Sequence, residues 1–298
     1  MSEKTVVVFG GSGFVGTEVV KTLSNAGFKV RVATRSPQAY QAPAGANATA
    51  QLCDYNHPDS VKAVLENAYG AVNCIGLLYE NKHNSFEQAH VTIPEMIAQF
   101  CAEMKLERFV HVSSLGVYAP SNYGTTKMAG EQAIIEHFPK ASIVRPSIIF
   151  GEHDGFFNMF ARMSKFMPIF PLIGGGKTKF QPVYVGDVAN AITTLMEPQS
   201  ESLNGQIYEL GGSDVVTFKQ VYQLVFKYTG RKRFLMPIPF WAAYVQGFIF
   251  GLLPKPILTV DQVRSLTVDN VVTENAHTFK ELNIKPTPMA DILPTYLK

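Results

Sequence analysis

The chain has 298 residues, 46% hydrophobic and 17% charged, with 26 Lys and Arg against 24 Asp and Glu. That composition excludes a disordered chain, and a formal charge of +2 gives no support to nucleic-acid binding. Three scattered cysteines, Cys53, Cys74 and Cys101, have no metal-ligand spacing and fit reduced thiols in a cytosol-like compartment.

The first strand is expected within a few residues of Met1, which leaves no room for a presequence and points to a cytoplasmic protein. Val6, Val7, Val8 and Phe9 read as a fully buried strand. Gly10, Gly13 and Gly16 follow in the spacing GxxGxxG, with Ser12, Phe14 and Val15 between them. An apolar stripe at helical spacing then begins: Val15, Val19, Val20, Leu23. Strand, glycine turn and helix in that order form a dinucleotide-binding fingerprint. Gly10 allows the tight turn, Gly13 lets backbone approach a pyrophosphate, and Gly16 lets the helix pack close. The helix N-terminus then favours the anion.

Residues 29–34 read as the second strand. Its end carries Thr34, Arg35 and Ser36 where an acid would accept from the ribose of NAD(H). Arg35 is suited to fork onto a 2′-phosphate or lie over the adenine, so NADP(H) is preferred, with NAD(H) as the alternative. A third strand spans 48–52. After it, Asp54 either takes the adenine amino group or forms a turn. A helix is expected from Ser60, then a fourth strand over 71–76. The carboxyl ends of such strands line the ligand crevice, which brings Cys74, Ile75 and Gly76 to the cofactor. One long helix is expected over 86–105.

Residues 108–114 form the fifth strand, which delivers Ser113 and Ser114 to its carboxyl end. Tyr123 follows nine residues after Ser114 and opens a helix in which Lys127 shares its face. A phenol titrates near 10, too high to work freely as a neutral-pH acid or base. A nearby ammonium would favour the phenolate, and a serine would orient a carbonyl. The sixth strand, 141–145, runs into Pro146. Strands alternating with helices over residues 1–150 predict an α/β fold: a doubly wound, Rossmann-type parallel sheet. Residues 151–298 are expected to form a smaller lobe that closes the cleft from the substrate side.

In that lobe a helix is expected over 155–167. The Gly174-Gly175-Gly176-Lys177-Thr178 run is not read as a P-loop, because Pro171 stands at the required first glycine and no apolar strand is expected before it. Glu152, His153 and Asp154 read as a surface loop, and no metal site is expected. Asp187 is placed to cap a helix, and Thr217 with Gln220 forms a capping box. Residues 234–253 contain no charged side chain and follow Arg231, Lys232 and Arg233. Pro237 and Pro239 argue against a membrane span. The segment is either an exposed apolar surface that meets a protein partner or a membrane, or a buried core helix of the lobe.

These marks resemble the short-chain dehydrogenase/reductase superfamily, in its extended or atypical branch. They are the glycine turn, Ser113-Ser114, Val117-Tyr118, Tyr123-x-x-x-Lys127, Arg145-Pro146 and Phe150-Gly151. Within it the chain is most similar to the nucleotide-binding accessory subunit of respiratory complex I and its bacterial relatives. That likeness is carried by residues 108–113, 137–139, 149–151, 181–185 and 237–239. The resemblance implies Ser114, Tyr123 and Lys127 as catalytic residues, with Ser113 the rival serine. It implies a cofactor site of Gly10, Ser12, Gly13, Phe14, Val15, Gly16, Arg35, Asp54, Cys74, Ile75, Gly76, Ser113, Tyr123, Lys127 and Pro146. It also implies a nucleotide that is structural in the accessory subunit, and a location in the cytoplasm or at the inner face of a respiratory membrane. The short Ser114–Tyr123 spacing trims the loop that would shape a sugar site. Three functions follow: a nucleotide-holding structural or assembly protein, an NAD(P)H-dependent reductase of a carbonyl or quinone-like substrate, and a sugar-nucleotide epimerase or dehydratase. A sensor that binds a partner according to cofactor redox state is a further variant.

Overall fold

The structure, a computed structural model, describes residues 4–81, 83–253 and 256–298. In chain order the first half contains β1 (Thr5–Phe9), α1 (Phe14–Asn25), β2 (Lys29–Thr34), β3 (Ala48–Leu52), α2 (Pro58–Leu65), β4 (Gly70–Asn73), α3 (Ile93–Glu103), β5 (Arg108–Val112), α4 (Asn122–His137) and β6 (Ser142–Pro146). The second half contains β7 (Ile149–Phe150), α5 (Phe157–Phe166), β8 (Ile169–Ile173), β9 (Lys179–Phe180), β10 (Val183–Tyr184), α6 (Val185–Met196) and β11 (Ile207–Leu210). It ends with β12 (Val216–Thr217), α7 (Phe218–Thr229), β13 (Phe234–Ile238), α8 (Phe240–Gly251), α9 (Val260–Ser265) and α10 (Met289–Tyr296).

Seven parallel strands form the central sheet in the order β11-β6-β5-β4-β1-β2-β3. The apolar run of β1 explains its central place, because successive side chains point to opposite faces and both faces are covered. Val6 and Val8 enter one core with Val19, Val20 and Leu23 of α1 and Val188 and Ile192 of α6. Val7 and Phe9 enter the other with Val61 and Leu65 of α2, Ile97 of α3 and Ile134 of α4. The strand order reverses between β1 and β4, which opens a crevice at their carboxyl ends.

The doubly wound sheet is as expected, but the division at residue 150 is not clean. Both α6 and β11 lie beyond it, yet they return to the sheet: α6 packs on α1, and β11 pairs with β6. The physical reason is coverage, since without α6 one face of β1 and α1 would stand open to water. The remaining lobe has its own aromatic core, with Phe160, Phe170 and Tyr222 in edge contacts at 4.8–5.1 Å between ring centroids.

Several local expectations change. The single helix over 86–105 is a π-turn at Glu87–Thr92 followed by α3, with Pro94 at the junction. Proline has no N–H to continue the α ladder, and the bulge absorbs that loss. Asp187 does not cap its own helix; both its oxygens accept from Thr287, N–H at 2.6 Å and O–H at 2.9 Å, which ties the C-terminal segment to α6. Asp154 is buried and not a surface residue. It accepts from the Phe156 N–H (2.8 Å) and the Tyr296 hydroxyl (2.6 Å), and so organises its loop. The Thr217–Gln220 capping box forms as expected.

Candidate functional site

At the β1–β4 switch point lies a groove of about 500 Å³. Gly10, Ser12 and Gly13 line its middle. Gly10 has φ +74°, a left-handed conformation that glycine adopts without strain. A Cβ on Gly16 would lie 2.2 Å from the Gly10 carbonyl oxygen, so this glycine is required by the turn itself. A Cβ on Gly13 would meet only that same oxygen, at 3.3 Å. Gly13 is thus free of the protein interior and open to the groove. No side chain caps the N-terminus of α1 and no acid sits in its first turn. Its N–H groups and dipole are left for an anion.

One end of the groove is lined by Thr34, Arg35 and Ser36 after β2, with Tyr40 and Tyr55. The Tyr40 hydroxyl is buried without a protein partner. The other end is lined by Cys74, Ile75 and Gly76 after β4, with Leu77, Ser85 and Gln88. A Cβ on Gly76 would meet nothing within 4 Å, so backbone faces open space there. An anion-ready helix end, a glycine floor and a basic corner fit a dinucleotide in chemistry as well as in shape. A hollow of similar size, about 530 Å³, lies among Gln181, Gly211 and the 278–286 loop, away from this chemistry.

Not every expected residue lines the groove. Asp54 spends its carboxylate on a turn, accepting from the Asn56 N–H at 3.0 Å, and its neighbour Tyr55 lines the groove instead. Phe14 turns toward Gly151, Val15 packs on the core, and Pro146 is buried at the end of β6.

The two serines part company. Ser113 donates its hydroxyl to Glu131 in the interior. Ser114 accepts from the Gly116 N–H at 2.9 Å and shares a hydrogen bond with Tyr123. Tyr123 is half-buried, with its ring edge-on to His90 (5.2 Å) and Phe86 (5.8 Å). Lys127 does share the α4 face, but its ammonium is buried and donates to the Val112 carbonyl at 2.9 Å. The expected lowering of the phenol by an ammonium does not occur. Burial raises the Tyr123 pKa, opposed only by the Ser114 hydrogen bond. The Lys127 ammonium is itself pushed down to about 8 by burial, against the pull of Glu131 and Cys74.

Other residues complete this corner: Tyr118 and Arg145 entered the sequence reading only as family marks, and His90, Glu131 and Asp261 carried no sequence signal. His90 sits in the π-turn and is fully buried. Its Nε2 lies 3.1 Å from the Leu77 N–H and 3.2 Å from the Leu77 carbonyl oxygen, and its Nδ1 lies 3.0 Å from Thr126 Oγ1. Burial and the Lys127 charge lower its pKa to about 3, so the ring is neutral. Glu131 receives Arg145 on both oxygens at 2.5–3.1 Å. Arg145 also donates to the Tyr118 hydroxyl (2.6 Å), which donates to Glu209 (2.7 Å), which accepts from Thr273. This chain of charges joins α4, β6, β11 and the C-terminal lobe behind the Tyr123 corner. Asp261 of α9 accepts from the Asn122 N–H (2.7 Å) and the Tyr123 N–H (3.0 Å). It thereby caps the helix that presents Tyr123. A capping partner 138 residues away in sequence leaves no local pattern.

The NAD dependent epimerase/dehydratase family matches residues 6–211, the whole sheet from β1 to β11. The chain belongs to that family. That family membership supports a nicotinamide dinucleotide as cofactor. The chain is similar to "NADH dehydrogenase (ubiquinone) 1 alpha subcomplex subunit 9, mitochondrial" of Arabidopsis thaliana, with 35% identity over 94% of this chain and 73% of that protein. The same-named protein of Mus musculus is 31% identical, over 97% of this chain and 78% of the mouse protein. In fold it resembles the solved structure titled "MoeE5 in complex with UDP-glucuronic acid and NAD", at TM-score 0.75 and 16% identity over 98% of this chain and 97% of that one. Among the described residues no group of His, Cys, Asp or Glu is arranged to hold a metal ion.

Proposed function

We propose that this chain is an NADP(H)-holding protein of the short-chain dehydrogenase/reductase type, with the nucleotide in a structural or assembly role like that of the complex I accessory subunits it resembles. The observation that carries this reading is a contrast inside one cleft. The groove for the dinucleotide is open and anion-ready, while the Tyr123 ring is half-buried edge-on against Phe86 and His90 and burial raises the pKa of its phenol. Gly10 and Gly13 would hold the pyrophosphate, Arg35 with Thr34 and Ser36 the 2′-phosphate, and Lys127 the nicotinamide ribose. When bound, NADPH supplies a hydride; what this chain supplies around it is binding, orientation and exclusion of water.

The docking surface in this reading is the apolar 234–253 segment, seated on a protein partner or a membrane, with the protein in the cytoplasm and peripheral at the inner face of a respiratory membrane. The second reading is an NAD(P)H-dependent reductase. The Ser114–Tyr123 hydrogen bond favours it, since that pair is placed to orient a carbonyl and return a proton to its alkoxide.

The test is to purify the protein, identify the nucleotide it carries, and follow oxidation of its reduced form with a panel of carbonyls and quinones. NADPH that stays bound and unreacted supports the holding role. Oxidation that disappears in Tyr123→Phe overturns that role in favour of the reductase. Purification with NAD(H) alone would defeat the part assigned to Arg35.

A further inference from the structure

Helix α8 is built inside out. Its small residues Ala243 and Gly247 are buried, while Trp241, Val245, Phe248 and Leu252 point to solvent at 72, 54, 66 and 75% exposure. Their spacing of four, three and four residues makes a single stripe along the helix. No side chain of α8 is charged. The orientation is enforced: a Cβ on Gly247 would lie 2.9 Å from the backbone of Thr259 and Val260, so only a residue without a side chain fits against α9. The helix cannot roll its large side chains inward. A contiguous apolar stripe of this kind is costly in water and marks a contact surface.

The charge of the sequence that flanks it indicates what the contact is. From Val215 to Val260 the sequence has no Asp or Glu but contains Lys219, Lys227, Arg231, Lys232, Arg233 and Lys255; Lys255 lies outside the described residues. From Gly155 to Gly186 there is again no acid, with Arg162, Lys165, Lys177 and Lys179. Arg231 and Arg233 are fixed to α5 through Ser164, at 3.2 and 2.8 Å. Beside them, exposed Phe234 pairs across the strands with exposed Ile169. Aromatic side chains next to cations with no acids among them suit an interface of acyl chains and negative headgroups. Against a second copy of this chain the same cations would face each other. At twelve residues α8 is about 18 Å long, short of the roughly 30 Å hydrocarbon layer, and no described helix is long and apolar enough to cross a membrane.

We propose that the Trp241–Leu252 stripe of α8 lies on an anionic phospholipid bilayer, with the basic residues around Arg231–Arg233 at its headgroups. This rests on the docking reading above and names its partner.

Trp241 is the sole tryptophan of the chain and stands on the stripe, so it reports the contact directly. Purified full-length protein is mixed with vesicles of phosphatidylcholine alone, or of phosphatidylcholine with phosphatidylglycerol, and followed by emission and co-sedimentation. The expected result is a blue shift with the anionic vesicles only, quenched by brominated lipid and reversed by high salt. Phe248→Asp and Lys232→Glu should each weaken partition about tenfold or more, since one removes buried apolar area and the other reverses a cation. Both variants should keep the circular dichroism and nucleotide binding of the parent, because neither residue lines the groove. Unchanged Trp241 emission with anionic vesicles overturns the proposal. So does a concentration-dependent dimer that already shields Trp241. Vesicle binding without any nucleotide binding would instead sink the holding role and leave this proposal standing.

Discussion

At the β1–α1 end of the cleft the site is backbone: a left-handed Gly10, the bare N-terminus of a helix, and glycines whose missing Cβ atoms leave room. At the β5–α4 end it is side chain: Ser114 after β5, Tyr123 and Lys127 of α4, His90 of the π-turn and Asp261 of α9 converge, with Lys127 on the Val112 carbonyl, His90 on Thr126 and Asp261 on the Tyr123 N–H. The first end needs only eleven consecutive residues, Val6 to Gly16, and stays open. The second needs contacts between residues up to 139 positions apart, and is flanked by aromatic rings. The difference teaches that phosphate recognition rests on backbone that folding leaves free, while the acid–base end rests on side chains gathered from several elements. Phosphate binding uses groups that folding leaves unpaired. Proton transfer needs a phenol that its surroundings push toward ionisation, and here they push the other way.

The largest effect is expected behind the side-chain end. Glu131→Ala takes from the buried Arg145 guanidinium its two-oxygen partner, leaving it Tyr118 and Glu209 at 3.7 Å, and should cost about 3 kcal/mol, read as a drop in denaturation midpoint. A loss below 1 kcal/mol would mean that the charge chain is not what fixes α4 against β6.

The backbone end separates folding from binding through two glycines. Gly16→Ala drives a Cβ into the Gly10 carbonyl and should lower stability by about 1–3 kcal/mol. Gly13→Val should melt close to the parent yet lose nucleotide binding by about a hundredfold, the scale of a bulky group at a pyrophosphate contact. Normal cofactor binding by Gly13→Val would displace the pyrophosphate from this turn.

The neutral His90 gives a pH dependence. Its folded pKa, about 3, is below its ordinary 6.5, so between those values the unfolded chain takes up a proton that the folded chain does not. Stability therefore falls as pH drops from 6.5 toward 3, by about 1.4 kcal/mol per unit for one such group. Buried His111, also held neutral, adds to the slope in the same direction. His90→Gln should melt with a shallower acid limb than the parent, and an unchanged limb would refute the assignment.

The smallest effect sharpens the link between the lobe and the site. Asp261→Ala removes two backbone partners from the first turn of α4 and should cost about 1 kcal/mol. If Tyr123 helps to seat the nucleotide, its affinity should fall severalfold in the same variant, measured by titration calorimetry.

The sheet and the phosphate turn were legible because they are written locally. A β-branched run followed by glycines and an apolar helical stripe has one economical fold, and the observed β1, turn and α1 lie where that pattern puts them. The Tyr123–Lys127 face was legible for the same reason, since helical spacing is a local property. What Lys127 touches was not legible. Its preference for the Val112 carbonyl over the phenol depends on the packing of α4 against β5. Whether residues 234–253 were core or surface also stayed open, because hydropathy alone reads both alike. Gly247 against α9 settled it by fixing which side of α8 turns inward. By itself, then, the sequence determined the nucleotide-binding frame, since phosphate recognition there rests on backbone freedom and local order. The tertiary structure alone decided the direction in which the Tyr123 and His90 pKa values move, the capping of α4 by Asp261 and the outward face of α8. Each of these depends on which distant groups share a dry, crowded neighbourhood.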